Sequence, residues 1–115
     1  MMISGLIMAM AMNMAAMGDK QDDTRKAFNN CLVEEHNNAV AAKKSGAEFN
    51  EQVAAACTET RKAYFDLIVK AERAFGSKQA DAEQYANEEI QAVIDSITAA
   101  FGENVGSGAR LQPEK

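Results

Sequence analysis

The chain has 115 residues, 17 Asp and Glu against 12 Lys and Arg, a net charge of −5, two Cys and no Trp. That length leaves room for one domain, and an acidic balance with no basic stripe excludes nucleic acid, whose phosphates call for one. The negative excess lies in residues 79–115, which hold seven acids and two bases.

All seven Met fall within the first 17 residues, and every charged side chain lies from Asp19 onward. Residues 3–17, ISGLIMAMAMNMAAM, form an uncharged apolar run of 15. A helix needs about 20 apolar residues to cross a hydrocarbon core, so this run is too short to span one. Its length suits the hydrophobic stretch of a secretory signal peptide. Ala16-Met17-Gly18 places small residues at the last and third-last positions before a cut. Residues 1–18 are therefore expected to be a signal peptide cleaved between Gly18 and Asp19, giving an exported, periplasmic or secreted protein. No Lys or Arg precedes the run, which leaves the alternative of a retained anchor. In that case the chain is a membrane-anchored accessory subunit with residues 3–17 uncleaved.

Residues 19–101 read as an all-α domain, a small three-helix bundle, because apolar residues recur at three- and four-residue steps and strand signals are absent. The first helix is expected over Asp22–Lys43, with Thr24, Phe28, Cys31, Leu32, Glu35, Ala39 and Ala42 inward. A break follows at Lys44-Ser45-Gly46. Ser45 and Glu48 then make a capping-box pattern, in which each satisfies a first-turn amide of the other. The second helix is expected to run unbroken to Phe75, with Phe49, Val53, Cys57, Thr60, Tyr64, Leu67, Ile68, Ala71 and Phe75 on one face. Gly76 stands where a left-handed C-terminal cap wants no Cβ. The third helix spans Gln79–Phe101 and is stopped by Gly102. Residues 102–115 have no periodicity and are expected to be a flexible tail.

The two cysteines carry the strongest inference. In an antiparallel helical hairpin, residues at one height are symmetric about the turn, and Cys31 and Cys57 are symmetric about residue 44, inside the first break. Each also lies on the inward face of its helix, and both helices rise about 1.5 Å per residue. A Cys31–Cys57 disulfide stapling the hairpin is the expectation, in keeping with an oxidising compartment.

Other constellations are weaker. His36 has Leu32, Ala39 and Val40 as helix neighbours and Gln52 opposite, so it reads as a surface or hairpin-flanking residue rather than a metal ligand. Glu35 is a carboxylate within the inward stripe, without a second positioned carboxylate that acid–base chemistry usually needs. Phe65, Ile68 and Val69 widen the apolar arc of the second helix, either for packing against both neighbours or as a partner-binding patch. Asp81, Glu88 and Asp95 form an acidic row at seven-residue spacing opposite the apolar face of the third helix, a candidate docking stripe. No c-type haem attachment or C-x-x-C pair is present, and no cofactor, metal or catalytic residue is expected. The reading is a small non-enzymatic exported protein, binding or structural, whose partners are another protein or a second copy. A membrane is a partner only if residues 3–17 are retained.

Overall fold

A computed structural model describes the backbone of residues 2–115 and the side chains of residues 18–115. The side chains of the expected leader, residues 3–17, lie outside the described residues; Gly18 and Asp19 are exposed on a helix. Four helices follow in order: α1 (Met2–Ala41), α2 (Gly46–Ala55), α3 (Thr58–Ala74) and α4 (Gln79–Asn104). No strand occurs among the described residues, and none of their helices is long and apolar enough to cross a membrane.

Helix ends are set by local chemistry at three of the expected places. At the end of α1, Lys43 takes a left-handed φ of 55°. The Lys44 amide then donates to Ala39 O and the Lys43 amide to Val40 O, both at 3.1 Å. This is a Schellman closure, made by Lys where Gly is usual. At the start of α2, Ser45 Oγ accepts from the Glu48 amide at 3.1 Å while Glu48 Oε1 accepts from the Ser45 amide at 3.0 Å. At the end of α3, Gly76 has φ 98°, and the Gly76 and Ser77 amides donate back to Arg73 O and Glu72 O at 3.0 Å.

The expected second helix is two helices, which corrects the three-helix count to four. Ala56 is extended (φ −87°, ψ 161°) and Cys57 left-handed (φ 60°, ψ 36°). Nothing local demands this, because Ala54-Ala55-Ala56 are the best helix formers available. A left-handed residue carrying a Cβ costs about 1–2 kcal/mol. The break is a tertiary effect: it lets α2 turn Phe49 and Val53 into the core while Cys57 reaches Cys31. Arg61 Nη2 donates to Val53 O at 3.1 Å, satisfying a carbonyl in the last turn of α2.

The core gathers Phe28, Leu32, Val33, Ala39 and Val40 of α1 with Phe49 and Val53 of α2, Tyr64 and Ile68 of α3, and Ala86, Ile90, Ile97 and Phe101 of α4. Phe49 and Phe101 stack with centroids 4.3 Å apart, and the His36 ring stands edge-on to both, at 6.4 and 6.2 Å. His36 is fully buried, which corrects its expected surface position. The buried face of α1 is wider than expected because α3, α4 and the C-terminal segment all lie against it. Phe75, expected inward, is 61% exposed at the end of α3.

The last helix runs through Gly102, its expected stop, to Asn104, and only residues 109–115 of the expected 102–115 tail are without turn or helix. They are nevertheless held along α1 by hydrogen bonds to Arg25, Asn30 and Asn37, where a free tail was expected.

Truncating the stacked ring leaves a cavity and removes buried apolar area. Phe49→Ala should lower unfolding free energy by about 3–5 kcal/mol, seen as a large drop in the urea midpoint with the unfolding slope unchanged.

Candidate functional site

The covalent centre of the molecule is the Cys31–Cys57 bond, with Cα atoms 6.0 Å apart and a sequence separation of 26. It joins the middle of α1 to the α2–α3 junction, and both cysteines are half-buried. Cys57 O accepts from the Arg61 amide at 2.9 Å and from Thr60 Oγ1 at 3.1 Å, so the left-handed residue still opens α3 with its carbonyl used.

Beside this junction, Arg61 lies with its guanidinium carbon 5.9 Å from the Phe28 ring centroid. Its Nε is buried and lacks a hydrogen-bond partner among the described residues. The ring face and the Val53 carbonyl account for the rest of the group, so Arg61 acts mainly as a structural brace. An open cleft of about 500 Å³ runs from Arg61 between Phe65 of α3 and Ile90 and Ile94 of α4.

Of the expected partner patch, only part reaches the surface. Ile68 is fully buried, while Phe65 and Val69 are half-buried against the core. Packing of α3 between α1 and α4 uses the widened arc. The acidic row is placed differently: Asp81, Glu88 and Asp95 are all exposed along α4. Glu88 and Asp95 each accept a hydrogen bond from a Gln one turn earlier, Gln84 at 3.3 Å and Gln91 at 2.8 Å. No cluster of three or more potential metal-ligating His, Cys, Asp or Glu occurs among the described residues. Glu35 is half-buried and accepts from Gln52 Nε2, whose carbonyl oxygen accepts from Lys44 Nζ at 2.8 Å. The seam glutamate is thus wired through an amide to a lysine.

His36 anchors a second polar cluster. Its Nδ1 is 2.8 Å from Asn37 Oδ1 and its Nε2 3.2 Å from Asn104 Nδ2. Those partners assign the proton to Nδ1, leaving Nε2 to accept. Asn37 then continues outward: its Oδ1 accepts from the Leu111 amide and its Nδ2 donates to Leu111 O, both at 2.9 Å. Asn30 repeats the arrangement on Glu114, accepting from its amide at 2.8 Å and donating to its carbonyl at 3.0 Å. The Arg25 guanidinium closes on the Glu114 carboxylate at 2.9 and 3.1 Å and also donates to Asp22 Oδ1.

None of Arg25, Asn30, Asn37 or Glu114 stood out from the sequence. The one signal available was a pair of Asn residues seven apart on a helix, the spacing that returns to one face after two turns.

These contacts set the local electrostatics. Hydrogen bonds from Arg25 hold the carboxyls of Glu114 and Asp22 below the usual range, and the Ser45 amide does the same for Glu48. The charge of neighbouring Glu89 pushes the Tyr85 phenol up, and burial pushes up Tyr64.

Opening the disulfide frees a loop of 26 residues of separation. Reduction should therefore cost about 3–4 kcal/mol of stability, measured as the shift between urea transitions with and without a thiol reductant. The depressed carboxyls fix the sign of the acid response. Their contribution is complete above their ordinary values of about 4 and is lost as pH falls through the lower folded values. Melting temperature should fall as pH drops from 5 to 2, and Glu114→Gln should flatten part of that fall; an unchanged profile in the variant would exclude the Arg25 pair from it.

No family model matches the chain, and neither a curated protein nor a solved structure was found to be similar to it.

Proposed function

We propose that this chain is a small exported, non-enzymatic helical protein that binds another protein, or a second copy of itself, through its helix faces. In this reading residues 1–18 are removed after Gly18. The working unit is a bundle built on an antiparallel pair of segments stapled by Cys31–Cys57.

The observation that carries the reading is the disulfide itself. Disulfides persist in oxidising compartments and are rare where thiols are kept reduced. Here the bond accompanies a left-handed Cys57 that the Ala-rich segment before it does not call for. An oxidising destination and an apolar leader point the same way. The exposed row Asp81, Glu88 and Asp95 offers a basic partner three carboxylates spaced two turns apart along α4.

The test is the intact mass of the chain expressed in a bacterium, taken without reductant and after thiol alkylation. A mass beginning at Asp19, two hydrogens light and unalkylated, is the expected outcome. A full-length mass with the bond formed would replace this reading with the membrane-anchored accessory subunit. Two alkylated cysteines would overturn export altogether.

A further inference from the structure

Asn30 and Asn37 do something more specific than fasten a loose end. Each carboxamide takes both main-chain groups of one residue, N–H and C=O together. Seven residues of helix advance about 10.5 Å. Leu111 and Glu114 are three residues apart, and three residues of extended chain span about 10 Å. The two amides are thus spaced to grip positions i and i+3 of any extended peptide laid along α1.

Side-chain selection comes from the ends of the track. Arg25 offers its planar fork to the carboxylate at the second gripped position, at 2.9 and 3.1 Å, a geometry that discriminates a carboxylate from a neutral group. Leu111, at the first gripped position, is half-buried against the edge of the core. Between the two grips a cavity of about 350 Å³ remains open, bounded by Val33, Glu34 and Asn38 on α1 and by Pro113 above. The resident segment underfills the track it occupies.

The segment is also built to leave. Only Leu111 among residues 109–115 packs against the core, and the rest of the attachment is side chain to main chain plus one half-exposed ion pair. Gly106-Ser107-Gly108 precedes it, with Gly108 at φ 77°. Such a hinge lets the segment swing off while α4 stays in place.

We propose that this face of α1 is a recognition site for an extended segment of another protein, with an apolar residue followed three positions later by Asp or Glu. In the resting chain, residues 111–114 occupy the site in cis, as a strap that the partner displaces. The inference rests on the binding role proposed above and names the surface and the ligand class. It can fail while export and the disulfide hold, because its test reads peptide binding rather than the mass or the thiols of the chain.

The test uses the full-length oxidised chain and a fluorescein-labelled peptide Ala-Arg-Leu-Gln-Pro-Glu-Lys, the sequence of residues 109–115. A tethered segment competes at an effective concentration in the millimolar range. Fluorescence anisotropy should therefore show the peptide binding the full-length Leu111→Gly/Glu114→Ala chain at least tenfold tighter than the wild type. Adding Arg25→Ala or Asn30→Ala to that weakened-strap chain should reduce binding at least tenfold, with far-UV circular dichroism unchanged. A peptide with its Leu and Glu replaced by Ala should not bind. Equal binding to the wild-type and weakened-strap chains, or indifference to Asn30→Ala and Arg25→Ala, overturns the proposal. Sedimentation showing wild-type chains paired through exchanged straps would give the site to a second copy and overturn the heterologous partner.

Discussion

The arrangement of α2 depends on one constraint, the bond that brings Cys57 within a disulfide's reach of Cys31. Left to local preference, Val53-Ala54-Ala55-Ala56-Cys57-Thr58 would carry a single helix from Ser45 to Gly76. In the folded chain Cys57 instead takes a left-handed conformation, at a local cost that the bond and the burial of Phe49 and Val53 offset. Redirecting α2 is what seats Phe49 on Phe101 and closes one end of the core over His36. The staple and the aromatic stack are therefore coupled: each holds α2 at the angle the other needs.

From that end of the core, polar contacts lead outward in a continuous chain. His36 faces Asn37 within α1 and Asn104 near the end of α4, and Asn37 hands the connection to Leu111. A buried polar group is costly only when unpaired, and each of these groups has its partner. The path links the hydrophobic interior to the C-terminal segment without any apolar contact beyond Leu111. Occupancy of the α1 track and packing at the core are thereby physically connected.

Local signals were legible where they rest on short-range chemistry. The Ser45–Glu48 capping box and the Gly76 closure follow from residues within five positions of one another. The pairing of Cys31 with Cys57 follows from symmetry about the turn, which needs only the helical rise. The features that escaped are those decided at long range. No periodicity marks the break at Cys57, since three Ala residues favour helix and the redirecting forces come from Cys31 and Phe101. The helix neighbours of His36 are apolar and say nothing of its burial, whereas its partner Asn104 lies 68 positions away. The C-terminal segment looked free because it has no pattern of its own; its order is borrowed from side chains on α1.

The His36 cluster also bears on how uniquely the helices fit together. The buried face of α4 begins with Ala82 and Ala86 and continues with Ile90, Ile97 and Phe101, and the stack of Phe101 on Phe49 already ties its end to α2. A shift of one turn would carry Asn104 about 5.4 Å away from the imidazole. The displaced state would hold an unpaired ring nitrogen in a dry core, a penalty of about 1–3 kcal/mol. That penalty falls on the misaligned states alone, so the single histidine adds a polar register pin for α1 and α4 to the apolar one made by the aromatic stack.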